Sequence, residues 1–130
     1  MNGNLLDTSI IIDVLRGDAD AVDFLHNLSG EVFVSVIAVG ELLYGASKST
    51  KVEHNIKLVR DVTSDIDVLP IDIETAEAYG QIKTDLVKKG FKIPENDIWI
   101  AATAQRNGLA LATYDSHFKH ISNLEVVGIE

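Results

Sequence analysis

Short apolar runs alternate with longer stretches of helical spacing along this chain, and that rhythm leaves few ways to fold it. Asn4-Leu5-Leu6-Asp7 reads as a first strand, followed by a helix from about Thr8 to Leu15 that stops near Gly17. A second helix covers Ala19 to Leu28. Glu31-Val32-Phe33-Val34 is a β-branched and aromatic run ending at Ser35, which suits the N-cap of an apolar helix from Val36 to Ala46. Val52, Ile56 and Val59 set a helix over Val52 to Val62. Val68 to Ile71 is a strand whose Pro70 implies a sheet edge or a strand end. A long helix from Glu74 to Lys88 meets Gly90 as a stop, and Pro94 opens another that runs to about Arg106. Leu109 to Thr113 and Glu125 to Val127 complete the strands.

Strands and helices in alternation, with short connections, imply α/β architecture: a three-layer α/β/α sandwich with a mostly parallel central sheet. The 130 residues suit one domain over 1–130. In such sheets ligands collect at the carboxyl ends of the strands. Polar residues that end strands, or that begin the helices after them, are therefore expected to face one another.

Composition narrows the function. No run approaches the roughly 18 apolar residues of a membrane span. Met1 to Asn4 carries no basic residue and Asp7 interrupts the apolar stretch, so the expectation is a cytoplasmic protein without a secretory signal. The absence of cysteine excludes disulfides, thiolate zinc sites and cysteine nucleophiles. Eleven basic against twenty acidic residues leave a net charge of −9, which disfavours a surface that coats phosphates indiscriminately. A carboxylate cluster that holds a divalent ion remains compatible with that charge, because the ion presents a positive contact to phosphate.

Four acids stand where this logic wants them. Asp7 ends the first strand, where it serves either as a helix cap or as a metal ligand. Glu41 is the only charge between Val36 and Ala46, and an acid on so apolar a helix is costly unless paired, metal-bound or turned to solvent past Gly40 and Gly45. Asp97 lies in the first turn after Pro94, where it also complements the helix dipole, with Asn96 as a neighbouring polar contact. Asp115 follows strand-ending Thr113 and suits the cap of a short turn. Each reading alone is ordinary; four acids at one sheet edge are not. Crowded carboxylates repel, and a hard divalent cation such as Mg²⁺ or Mn²⁺ relieves the repulsion. His117 and His120 read as loop or surface residues, with His117 at most touching a ligand rather than an ion. Asp13 and Arg16 suit an exposed helical pair, and Asp72, Glu74 and Glu77 suit the start of a helix. Lys83, Lys88, Lys89 and Lys92, with Phe91 among them, form the one basic patch.

With these residues in view, the chain resembles PIN-domain proteins, most closely the VapC-type toxin ribonucleases of toxin–antitoxin pairs. The resemblance rests on Leu5-Leu6-Asp7-Thr8-Ser9, on Val36 to Ala46 around Glu41, on Asn96-Asp97-Ile98-Trp99-Ile100-Ala101-Ala102, and on Ala112-Thr113-Tyr114-Asp115. It implies a metal-dependent endoribonuclease in which Asp7, Glu41, Asp97 and Asp115 are both catalytic and metal-holding. Thr8, Ser9, Asn96 and Thr113 are implied as supporting polar neighbours, and Lys88, Lys89 and Lys92 are the candidate RNA contacts. A homodimer and an antitoxin whose tail covers the cleft are implied by resemblance alone. One departure stands out: family members often carry an acid where this chain has His117.

Rival readings fit less well. A phosphoacceptor receiver needs an acidic pair after the first strand and a late strand-ending lysine, where this chain has one acid and Thr113. A haloacid-dehalogenase-like phosphatase needs an acid at Ser9. A PIN fold retained purely as a binding module is the remaining alternative.

Overall fold

The computed structural model describes residues 2–128. Five strands form one sheet: β1 (Gly3–Leu6), β2 (Glu31–Ser35), β3 (Asp67–Leu69), β4 (Ala110–Ala112) and β5 (Val126–Val127). Their spatial order is β3-β2-β1-β4-β5, and every pairing is parallel. Leu5, Leu6, Val34 and Leu111 on the central strands are almost wholly buried, as expected of a parallel sheet covered on both faces. In register, Leu5 faces both Phe33 and Leu111. A side chain at Gly3 would meet the Glu31 carbonyl oxygen at 2.5 Å, so glycine is required where β1 approaches β2.

Six α-helices surround the sheet: α1 (Thr8–Leu15), α2 (Ala19–His26), α3 (Val36–Ser47), α4 (Val52–Asp65), α5 (Ile73–Lys89) and α6 (Glu95–Arg106). From β1 the chain moves outward through β2 to β3, then crosses back past β1 to β4. Right-handed crossovers therefore place α1 to α4 on one face and α5 and α6 on the other. The reversal occurs between β1 and β4, and that is where an open α/β sheet leaves a crevice.

The sequence boundaries hold closely, with physical reasons where they shift. β3 ends at Leu69 rather than Ile71, because Pro70 has no N–H to donate to the ladder; β3 is an edge strand. α2 stops at His26 because Asn27 takes the C-cap, and α4 runs on to Asp65. After β4 the chain makes a 3₁₀ turn, Ser116–His120, capped by Asp115. α5 ends on Gly90 in the left-handed region (φ 79°), with the Phe91 N–H donating to the Leu86 carbonyl, as the stop at that position requires.

Charged residues tie α5 to its neighbours. Asp72 caps α5 by accepting from the Thr75 N–H at 2.9 Å and takes the Arg106 guanidinium from the end of α6 at 3.0 Å. Tyr79 stacks on Trp99 at 4.0 Å, and Glu95 receives both the Tyr79 hydroxyl and Lys83. The Thr75 hydroxyl and the Arg106 guanidinium, joined by the Thr75 N–H, hold the Asp72 carboxyl down to about 2 from an ordinary 3.8. A depressed carboxyl pKa stabilises the fold above its unfolded value, and that contribution disappears as pH falls through about 2. Asp72→Ala is accordingly expected to lower Tm at neutral pH, with the gap to the natural sequence closing as thermal melts are taken down to pH 2. A gap that persists unchanged in acid would remove ionised Asp72 as its source.

Candidate active site

Parallel topology does the assembling. Asp7 directly follows β1, α3 with Glu41 directly follows β2, and Asp115 lies three residues beyond β4. α6 runs back across the sheet to lead into β4, so its N-terminal turn with Asp97 starts at the same edge. The four acids come from four connections at one edge, with Asp7 and Glu41 near enough to act on Asp97 and with Asp97 and Asp115 both in contact with His117.

Asp7 occupies the N-cap position of α1 but makes no side-chain capping bond. Its carboxylate instead accepts from the Thr113 hydroxyl at 2.7 Å and the Ser9 hydroxyl at 3.1 Å, while its backbone N–H donates to the Ala112 carbonyl. The carboxylate is thus buried and aimed across the switch point, and the capping alternative is excluded. Glu41 is half-buried and accepts from the Thr8 hydroxyl at 2.9 Å, so it does not simply point to solvent. Asp115 does cap the 3₁₀ turn, accepting from the His117 N–H at 3.1 Å, and its own N–H donates to the Thr113 hydroxyl oxygen. Thr113 therefore touches two of the four acid residues at once.

Asp97 is where the electrostatics converge. Burial pushes its carboxyl pKa up, and the negative charges of Asp7 and Glu41 push it further; only His117 acts in the opposite direction. Among the described residues no lysine or arginine pairs with any of the four acids, and every ion pair at the site is to His117. A pocket of carboxylate oxygens lacking a resident cation is chemically suited to a divalent ion.

His117 takes the ligand-touching place that the sequence left open to it rather than a plain surface one. Its Nε2 lies 3.2 Å from Asp97 Oδ2 and its Nδ1 lies 3.0 Å from Asp115 Oδ1, so the ring joins the two acids. The Asp115-x-His117 spacing across a tight turn was the signal available for it. His120 instead stacks on Phe91 at 3.7 Å. Asn96 is exposed beside the site, with no bond to the acids. Of the lysines, Lys83 is taken by Glu95, and Lys89 is held by Asp85 at 2.8 Å and by Ser122. Lys88 and Lys92 are exposed. Among the described residues no ion pair joins Asp13 to Arg16; Arg16 lines the neighbouring groove. A groove of about 690 Å³ lies alongside, sharing Thr8, Glu41 and Asn96 with the site and lined further on by Ile12, Leu15, Leu58 and Val59, with Arg16 and Lys48 among its polar residues.

An all-parallel α/β/α sandwich with carboxylates massed at its switch point defines a class of proteins whose crevice could hold a divalent ion. Within that class the chain belongs to the PIN domain family, whose profile matches residues 5–124. It is 40% identical over 110 residues to the protein named ribonuclease VapC2 of Haemophilus influenzae, spanning 84% of this chain and 83% of that one. It is 33% identical over 122 residues to the tRNA(fMet)-specific endonuclease VapC of Shigella flexneri, covering 92% of each. The crystal structure of VapBC2 from Rickettsia felis, bound to a DNA fragment from its promoter, superposes with a TM-score of 0.91 at 28% identity, over 100% of both chains. PIN nucleases in general use divalent metal, and the carboxylates gathered here fit that requirement.

Raised above its ordinary value, the Asp97 carboxyl costs metal-free stability as pH rises, since the folded state then holds an ion it disfavours. Asp97→Asn is expected to melt in EDTA at the same temperature as the natural sequence or higher. Added Mn²⁺ is expected to raise Tm of the natural protein and to raise that of the variant far less. A variant that melts clearly lower in EDTA would show that repulsion at this position is outweighed by its contacts.

Proposed function

We propose that residues 1–130 form a single metal-dependent endoribonuclease that hydrolyses RNA phosphodiester bonds, with Mg²⁺ or Mn²⁺ as its ion, and that it acts in the cytoplasm as the toxin of a toxin–antitoxin pair. The observation that carries this reading is the convergence of Asp7, Glu41 and Asp97 at the sheet edge, where the charges of the first two act on the third. Relatives named as VapC ribonucleases and endonucleases support RNA as the substrate class. Solved complexes of VapB with VapC support an antitoxin as partner.

Asp7 and Asp97 are the primary ion holders, and Glu41 and Asp115 complete the set. A divalent ion bound there lowers the pKa of water and neutralises charge building on the phosphate. The remaining work falls to side chains. Thr113 and Ser9 fix the direction of the Asp7 carboxylate, so no reorganisation is needed when the phosphate arrives. Glu41, held through Oε1 by Thr8, orients the attacking water and accepts its proton on Oε2. The water oxygen bonds to phosphorus, the bond to the 3′-oxygen breaks, and that oxygen leaves as a hydroxyl after taking a proton from solvent water. The products carry 5′-phosphate and 3′-hydroxyl ends. Lys88 and Lys92 contact the RNA backbone, while Lys89 is committed to its partners on the protein. The groove beside the site, apolar along Ile12, Leu15, Leu58 and Val59, suits an amphipathic antitoxin segment laid over the catalytic crevice. A homodimer is part of the same proposal.

Purified protein is expected to cut RNA with Mg²⁺ or Mn²⁺ and to stop in EDTA, with Asp97→Asn slower by about 10²-fold or more. A substrate carrying 2′-deoxyribose at the cleavage position should still be cut. EDTA-resistant cleavage, or full activity in Asp97→Asn, would overturn the assignment and leave the binding-module reading. Alanine at both Lys88 and Lys92 is expected to flatten the salt dependence of binding to single-stranded RNA by about 1.4 in the log–log slope, two contacts at roughly 0.7 each.

A further inference from the structure

His117 sits where an oxygen ligand would have been expected, and its geometry is that of a ligand. The side-chain atoms of Asp97, Asp115 and His117 that could hold an ion all lie within 4.8 Å of one another. Phe118, wholly buried, anchors the 3₁₀ turn immediately next to His117, and the His117 N–H is itself bound by Asp115. These contacts fix the backbone of the turn, and the two acids hold the ring. It presents one nitrogen to each acid. An imidazolium donates from both nitrogens and satisfies the two acids, whereas a neutral ring carries a single N–H and leaves one nitrogen lone pair facing a carboxylate. A cation among the three groups turns that opposition into coordination.

We propose that His117 contributes a nitrogen ligand that makes the Asp97–Asp115 end of the site select a transition ion, Mn²⁺ in the first instance, over Mg²⁺. The proposal rests on the reading of this cluster as the ion site and goes beyond it in naming the ligand and the preference it imposes. Imidazole is a softer donor than carboxylate, whereas Mg²⁺ favours oxygen in near-ideal octahedral geometry and keeps several waters. Two carboxylates and one imidazole therefore penalise Mg²⁺ relative to a first-row transition ion. The other three histidines stand elsewhere: His26 ends α2, His54 lies in α4, and His120 stacks on Phe91.

Ion binding tests this without reference to RNA. Electron spin-echo measurements on the Mn²⁺-loaded protein are expected to show coupling to ¹⁴N, absent in His117→Asp and His117→Ala. By calorimetry, the Mn²⁺-over-Mg²⁺ affinity ratio is expected to fall at least about tenfold in His117→Asp, because an all-oxygen set is restored. His117→Asp keeps a ligand in place, so it guards against mistaking a general loss of the site for a loss of selectivity. No ¹⁴N coupling in the natural protein, or an affinity ratio unchanged in His117→Asp, would overturn the proposal and reduce His117 to a hydrogen-bonding companion of the acids. A protein that binds Mn²⁺ through His117 and cuts no RNA would sink the nuclease reading alone. One that cuts RNA with no nitrogen coupling would sink the ligand alone.

Discussion

Carboxylates drawn into one crevice against their mutual repulsion are the constraint to which the rest of the structure answers. Asp97 is raised by its burial and by the charges of Asp7 and Glu41, with only an imidazole working the other way. Such an arrangement cannot stabilise a fold by itself; it has to be imposed by elements that are stable for other reasons. The imposing element is the sheet. Leu5, Leu6, Val34 and Leu111 supply buried apolar surface beneath the site, and Thr113 and Ser9 spend their hydroxyls holding Asp7. At Asp7 the conflict is visible in a single residue: it stands at a helix N-cap and gives up the capping bond to face the crevice.

That division of labour separates the stabilising charges from those of the crevice even where the two are close in sequence, as Glu95 is to Asp97 in the first turn of α6. On the α5–α6 side every conspicuous acid has a cation or a hydroxyl: Asp72 has Arg106, Glu95 has Lys83 and Tyr79, Asp85 has Lys89. At the sheet edge Asp7 and Glu41 have hydroxyls alone, and Asp97 and Asp115 have His117, with no lysine or arginine among the described residues pairing with any of them. The net charge of −9 is therefore not spread evenly in its effects. Paired acids tie helices together, and unpaired acids set up a negative potential that a divalent ion, and then a phosphate, would answer.

Most of this was legible because the acids break local rules. Glu41 interrupts an otherwise uncharged apolar helix, and Asp7 ends a leucine run, so both read as residues held in place for something. Fold class followed from the alternation of short apolar runs with helical spacing, which admits little besides a parallel sheet with helices on both faces. What the pattern missed lies where the chain breaks no rule. His117 sits in a polar turn in which any residue type is at home, and only the three-dimensional path of the 3₁₀ segment brings its ring between Asp97 and Asp115. The basic patch shows a different limit. Four lysines close in sequence suggest one surface, and composition alone does not say that Lys83 pairs with Glu95 across to α6 while Lys89 pairs with Asp85 one turn back in α5.

The same physics explains why the crevice lies between β1 and β4 and nowhere else on the sheet. Every loop at the carboxyl edge emerges from a parallel strand, but only at the reversal of strand order do neighbouring connections diverge to opposite faces and leave open space between them. At the β2–β3 step the helices cross on one face and close over the strand ends. The acid that follows β3, Asp72, is paired with Arg106 rather than left facing an opening. Asp7 and Thr113 flank the reversal directly, and Asp115 follows two residues later. Glu41 and Asp97 reach it from the helices on either side, so opposite layers of the sandwich each supply one wall. A site built in this way cannot be assembled by either layer alone, and its geometry is tied to the packing of the whole sheet.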